Sequence, residues 1–187
     1  EPLMNYDHVV HFLRLLHEEY VLNLGYRNIT LSTSGIVPAI DRLAEEGMPV
    51  TLSISLHAPR EDLRSMLMPI NQKYPMSDVV AAGCRYAKKT GRRVTYEYIL
   101  IRDVNDGERE AEELAALLLG QIANVNLIPI NAVPERGFHR PEEERVEAFV
   151  QALSRRRITA TVRRERGSDI QAACGQLRNR HLSNDTI

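Results

Sequence analysis

Cys84 and Cys174 are the two cysteines of the chain, and their surroundings differ. Cys174 lies in "RGSDIQAACGQLRNR", with Gly175 directly after it. Arg163, Arg164 and Arg166 precede it, and Arg178 and Arg180 follow. Guanidinium charge near a thiol lowers its pKa and raises the fraction of nucleophilic thiolate. The same arginines suit a phosphate-facing patch. The alternative is that "IQAAC" is one packed turn of helix and the arginines are surface charge paired with glutamates. Spacing alone leaves both readings open. Cys84 follows Val80 by four and precedes Ala87 by three, so it falls on an apolar helical stripe and reads as a buried structural thiol.

Other chemistries find less support. His8 and His11 are three apart on a helical stretch, with His17 beyond, but no further Cys or His completes a four-ligand metal set at the usual spacing. They read as a solvated helix face. No C-x-x-C pair and no G-x-S-x-G elbow occur. Neither a dinucleotide fingerprint nor a Walker-type phosphate loop is present, which weakens the Rossmann and P-loop alternatives.

The elements that must position these residues alternate. Asn5 or Asp7 can cap a helix with Val9, Leu13, Leu16 and Tyr20 on one stripe and Gly25 as its stop. "NITLS" is a strand. Thr33 or Ser34 precedes the helical "GIVPAIDRLAEEG", with Pro38 in the first turn and Gly47 as the stop. "PVTLSISLH" alternates as a strand does, "REDLRSMLM" is a short helix and "PINQKYP" a loop. Ser77 can cap "DVVAAGCRYAKKTG", and Asp106, after the turn "VNDG", can cap "GEREAEELAALLLG". "RRVTYEYILI", "IANVNLIPI" and "ITATVRR" are strands, and Pro141 with three glutamates opens the remaining helix. Strands alternating with helices imply parallel pairing through right-handed crossovers, hence an α/β sheet or barrel. In such folds ligands bind beyond the carboxyl ends of the strands. Those ends carry Ser32, Thr33 and Ser34, then Ser55 and His57, then Asn131. These hydroxyl, imidazole and amide groups suit a polar ligand, or else ordinary turns and caps.

Composition bounds the rest. The 187 residues suit one domain, and 43% apolar residues are enough for a substantial core. Charged residues make up 26% with a formal net charge of -1, which argues against a uniformly nucleic-acid-coating protein but permits a local basic face. No apolar run approaches the roughly 20 residues that span a bilayer. Two cysteines ninety positions apart form no disulfide framework, and a reducing cytoplasm is the expected location.

Five segments in order, "ITLSTSGIVPAIDRLA", "ISLHAPREDLRSMLMPINQKYP", "RRVTYEYILIRDVND", "VNLIPINAVP" and "VRRERGSDIQAACGQL", resemble the radical S-adenosylmethionine RNA methyltransferases. The likeness covers Glu1 to about Leu177. It implies an α/β fold, the C-terminal part of a partial TIM-like (β/α)6 barrel. It implies that the parent methylates adenine carbon 2 in 23S ribosomal RNA and also transfer RNA. Carbon 8 is the alternative within the family, and a non-catalytic RNA- or cofactor-binding module the alternative outside it. A small-molecule enzyme using Cys174 as nucleophile is a third. By the same resemblance Glu1 and Pro2 end a "GMGEP" motif, and Glu1 receives the amino group of S-adenosylmethionine. Ser32, Ser55, Leu56, His57 and Asn131 contact the same cofactor, and Cys174 carries the transferred methyl group. An adenine ring carbon is a poor nucleophile, so the methyl is first placed on the Cys174 thiolate and then delivered as a radical. Arg163, Arg164 and Arg166 are the candidate RNA contacts.

The resemblance also sets limits. The cysteines that hold the family's 4Fe–4S cluster, a C-x3-C-x2-C run, are expected upstream of Glu1, with an N-terminal accessory domain. No metal ligands are therefore assigned here, and the 187 residues alone are expected to be inactive. Cys84 does not match the family's resolving cysteine. Residues 1–164 are assigned to barrel units, 165–177 to the catalytic cysteine segment and 178–187 to a tail. No membrane partner is expected. Self-association through the exposed barrel edge at "NITLS" is.

Overall fold

The structure, a computed structural model, describes residues 1–131 and 136–163. Its strands are β1 (Thr30–Thr33), β2 (Thr51–Ser55), β3 (Val94–Leu100), β4 (Ala123–Pro129) and β5 (Thr159–Val162). Its helices are α1 (Tyr6–His17), α2 (Val37–Glu45), α3 (Glu61–Leu67), α4 (Met76–Thr90), α5 (Glu108–Leu117) and α6 (Glu143–Arg155). Among the described residues the strands make one parallel sheet in chain order, β1-β2-β3-β4-β5. Each strand is added beside its predecessor in one direction, and right-handed crossovers then carry the helices to one side. The result is the expected α/β segment of a barrel wall.

The register divides the sheet into two chemically different faces. On the helix side, Thr33, Ile54, Tyr96, Val125 and Ala160 form one cross-strand row, with Leu31 and Leu52 in the row before it. Ile40 and Leu43 of α2, Val79 and Val80 of α4, Leu114 of α5 and Phe149 of α6 join those strand residues in one apolar cluster. Fully burying such side chains contributes about 1.5–3 kcal/mol each. On the opposite face the rows are Ser32, Ser53, Thr95, Asn124 and Thr159, then Ser55, Glu97, Asn126 and Thr161. A parallel sheet covered on both sides reads as continuous apolar strands. These strands alternate because one face is polar.

Tight packing of α4 on the sheet depends on Gly83, where a Cβ would collide with the Tyr96 hydroxyl. That hydroxyl donates to Gln121 Oε1 at 3.1 Å, and Tyr86 donates from the same helix to the Val50 carbonyl at 2.8 Å.

Several local expectations change. α1 ends at His17 rather than near Gly25, and Tyr20 is 94% exposed, so the buried stripe is Tyr6, Val10 and Leu13. The backbone turns out of the helix at Glu18, whose N–H still bonds to the carbonyls of Arg14 and Leu15. Thr33 and Ser34 precede α2 as expected, and its N-cap is Ile36. Ser77 is not the cap of α4. The Glu61 carboxylate, from α3, accepts from the N–H groups of Met76 and Ser77 at 3.0 Å each. Asp106 does not cap α5, which starts after Gly107. Its buried carboxylate instead accepts from the Asp103 N–H at 2.9 Å and from Arg145 of α6 at 2.7 Å. "PINQ" within the expected loop closes a 3-10 turn, and α6 begins at Glu143 with Glu142 as N-cap. No helix among the described residues is long and apolar enough to cross a membrane.

Candidate active site at the carboxyl edge of the sheet

The carboxyl ends of β1 and β2 carry the densest polar chemistry. The Glu1 carboxylate is clasped by the end of β1. Its Oε1 accepts from Thr33 Oγ1 at 2.9 Å and from the Leu3 N–H at 3.1 Å. Its Oε2 accepts from the Ser34 N–H at 2.6 Å and from Ser34 Oγ at 2.5 Å. Burial pushes this carboxyl's pKa up, but the hydrogen bonds from Ser34, Leu3 and Thr33 outweigh it and hold the group below the usual carboxylate range. None of the four donors is a cation. The group therefore stays ionised while its hydrogen-bond partners leave its charge uncompensated, which suits a cationic ligand.

Behind this clasp lies Arg64 of α3, with no exposed surface. Its Nη2 donates to the Ser34 carbonyl at 2.9 Å and to the Ser55 carbonyl at 3.4 Å, joining the ends of β1 and β2. Its Nη1 donates to Asn71 Oδ1 at 2.6 Å and to the Tyr74 carbonyl at 3.2 Å. Burial lowers the guanidinium pKa, and nearby Glu61 opposes that shift. Gly35, at φ +104, lets the chain turn between Arg64 and Val79, where a side chain would collide with Val79.

The end of β2 is locked to β3. His57 has φ +63, a left-handed conformation that costs a non-glycine residue energy. Three partner residues, Glu97, Ile99 and Asn105, compensate. The Leu56 and His57 N–H groups both donate to the Glu97 carbonyl at 3.0 Å, and the Ile99 N–H donates to His57 Nδ1 at 3.2 Å. The third is Asn105, fully buried, whose Nδ2 donates to the carbonyls of His57 at 3.0 Å and Ile99 at 2.7 Å. Asn105 Oδ1 accepts from the Ile101 N–H at 2.7 Å. An accepting Nδ1 fixes the neutral tautomer with its proton on Nε2. Burial first and the Arg64 charge second push the imidazole pKa down from 6.5 to about 4.

The residues singled out by sequence fall as follows. Glu1 and Ser55 are linked through Ser34 and Arg64. Ser32 is exposed on the polar face, two residues short of Ser34. Leu56 is fully buried, so only its backbone is available to a ligand. Asn131 is half-buried, two residues past β4, next to Ile130, whose N–H donates to the Leu100 carbonyl. Arg163 is exposed just past β5. Arg164, Arg166 and Cys174 lie outside the described residues. Cys84, read as buried, is half-buried on α4, where its neighbour Arg85 is exposed. His8 and His11 are exposed on α1. Among the described residues, no group of three or more His, Cys, Asp or Glu side chains could hold a metal ion.

Sequence reading missed Thr33 and Ser34 as the clasp of Glu1, and it missed Arg64, Asn105 and Glu97 altogether. Glu97 sits half-buried on the polar face, in register with Ser55 and Asn126. An acid inside the otherwise uncharged, β-branched and aromatic run "VTYEYIL" was the available signal for it.

Residues 1–115 match the sequence profile of the Radical SAM superfamily. A probable dual-specificity RNA methyltransferase RlmN of Symbiobacterium thermophilum is 59% identical over 181 residues, which are 96% of this chain and 49% of that protein. Its namesake in Alkaliphilus oremlandii is 50% identical, over 98% of this chain and 54% of its own length. The chain thus spans about half the length of the curated relatives it matches. The crystal structure of a radical SAM methyltransferase from Sphaerobacter thermophilus superposes with a TM-score of 0.89 at 55% identity, over 94% of this chain and 52% of that one. A domain of a pyruvate-formate lyase-activating enzyme from Bacteroides vulgatus shares the fold, with a TM-score of 0.66 at 17% identity, over 88% of this chain and 94% of that one. By its profile match and its one-sided parallel sheet, the chain belongs to the radical SAM superfamily.

Proposed function

We propose that this chain forms part of an RNA methyltransferase that modifies adenine carbon 2 in 23S ribosomal RNA and in transfer RNA, and that it supplies the wall of the S-adenosylmethionine site. The observation that carries the reading is the ionised, uncompensated Glu1 carboxylate at the carboxyl edge of the sheet. S-adenosylmethionine supplies the methyl group and, when cleaved, the radical of the reaction. Its α-ammonium suits Glu1, and the Ser32 and Ser55 hydroxyls, the strand-end backbone at Leu56 and His57 and the Asn131 amide suit its polar groups. His57 kept neutral would add no positive charge to a site that takes a cationic sulfonium. The described residues offer no ligand set for an iron–sulfur cluster, so no step of this chain is assigned to one.

In this reading the Cys174 thiolate, its proton given up to solvent, would take the methyl group from the sulfonium of S-adenosylmethionine, which would leave as the neutral thioether S-adenosylhomocysteine. Arg163, Arg164 and Arg166 meet RNA phosphates. Residues 1–164 are the barrel units, 165–177 the cysteine segment and 178–187 a tail. Ribosomal and transfer RNA as substrates put the work in the cytoplasm.

The test uses the full-length protein. Ribosomal and transfer RNA from cells that carry it are expected to contain 2-methyladenine by nucleoside mass spectrometry. RNA from cells lacking it, or carrying Cys174→Ala, is not. Methylation at carbon 8, or none, would overturn the assignment. Glu1→Gln removes one charge-assisted contact and is expected to weaken S-adenosylmethionine binding roughly tenfold to a hundredfold. An unchanged affinity would remove Glu1 from the site.

A further inference from the structure

Arg64 is the unusual residue of this fold. It is the largest fully buried side chain of the described region, a cation whose hydrogen bonds all go to neutral oxygens. Its Nε, also buried, has no partner. Burying an ion without a hydrogen-bonded counter-ion is costly, and an apolar side chain of similar volume would serve the core better. Something other than packing is gained.

The contacts say what. The guanidinium fork reaches from α3 to the carbonyls of Ser34 and Ser55, the exit points of β1 and β2. Ser34 supplies two of the four donors that hold Glu1. Gly35, next in the chain, turns at φ +104 in a space bounded by Val79 and Arg64 Nη2. Fixing the Ser34 carbonyl from behind fixes the residue whose N–H and Oγ face Glu1 in front. We propose that Arg64 is a positioning residue for the S-adenosylmethionine site, acting through Ser34 on the Glu1 carboxylate. It has no exposed surface and does not touch the ligand. This inference rests on the reading of Glu1 as the ammonium-binding group.

The test is a double-mutant cycle in the full-length, cluster-loaded enzyme. Arg64→Met and Glu1→Gln are made singly and together, and each protein is measured for its S-adenosylmethionine dissociation constant and its kcat. Arg64→Met is expected to weaken binding at least tenfold while kcat at saturating cofactor changes less than threefold. In the Glu1→Gln background the same substitution is expected to add less than threefold, because its route to the ligand is already cut. Effects that multiply in full would overturn the proposal, as would a loss confined to kcat. If Arg64→Met does not fold, Arg64→Lys serves in the same cycle. It keeps the charge, loses the fork that spans both carbonyls, and is expected to weaken binding by a smaller factor with the same non-additivity. If Glu1→Gln alone leaves binding unchanged, the underlying reading of Glu1 fails, and this proposal with it. If Glu1→Gln weakens binding and Arg64 variants do not couple to it, the positioning role alone fails.

Discussion

Asn105→Ala is the substitution whose cost the structure defines most closely. The side chain is fully buried and makes three hydrogen bonds, all to backbone: the His57 carbonyl at 3.0 Å, the Ile99 carbonyl at 2.7 Å and the Ile101 N–H at 2.7 Å. Alanine leaves those three groups without this partner, the Ile101 N–H in a buried place and the two carbonyls in partly buried ones. At about 1–1.5 kcal/mol per buried bond lost, the expected destabilisation is about 3–5 kcal/mol. A domain of this size has a total stability of about 5–15 kcal/mol, so much of the reserve goes. Asn105→Asp sharpens the reasoning. An ionised aspartate can still accept from Ile101, but it turns acceptor oxygens toward two carbonyls. It is expected to be at least as damaging as alanine near neutral pH and to recover part of the loss in acid, where a protonated carboxyl can donate once. Urea unfolding followed by circular dichroism measures both variants, and amide exchange at Ile101 reports whether the knot opens locally. A loss under about 1 kcal/mol for Asn105→Ala, with an unchanged denaturant slope, would refute the account of Asn105 as the tie between β2 and β3.

Two further outcomes follow from the same geometry. Gly83→Ala drives a methyl group into the Tyr96 hydroxyl and is expected to cost about 1–3 kcal/mol; Tyr96→Phe in the same protein should return part of it, read as a rise in thermal midpoint over the single variant. His57 should titrate near 4 by NMR. A basic group whose folded pKa is depressed contributes stability that is complete above its unfolded value of 6.5 and is lost as pH falls toward 4, so stability should decline across that window. A titration near 6.5, or no such decline, would contradict the buried neutral imidazole.

The strands and five of the six helices fall where periodicity puts them, because alternation and apolar stripes are local properties of the chain. Helix ends were less legible. Ser77 has the right residue type for a cap, yet Glu61, sixteen residues earlier, fills that role, and no local pattern encodes a partner at that distance. Asp106 was drawn away from its helix by Arg145, thirty-nine positions on. The site shows the same division. Its edge was legible from the run of Ser, Thr, His and Asn at strand ends. Asn105 lay in the turn "VNDG" and Arg64 in the short helix "REDLRSMLM" with nothing local to single them out, because the carbonyls they serve belong to segments distant in sequence.

The two-faced sheet has a consequence for how this protein can change. Along β3, Val94, Tyr96, Tyr98 and Leu100 hold the fold, while Thr95, Glu97 and Ile99 face the other way. Packing under the helices and the character of the opposite face are thus written on alternate letters of the same strand. The residues that face away can be exchanged without opening a hole under the helices, so single substitutions can alter that face and leave the scaffold intact. The exceptions are the strand ends, where Ser34, Ser55 and His57 are tied into Arg64 and Asn105. There the ties hold backbone carbonyls, so the shape of the edge depends on Arg64 and Asn105 more than on the side chains at the strand ends themselves.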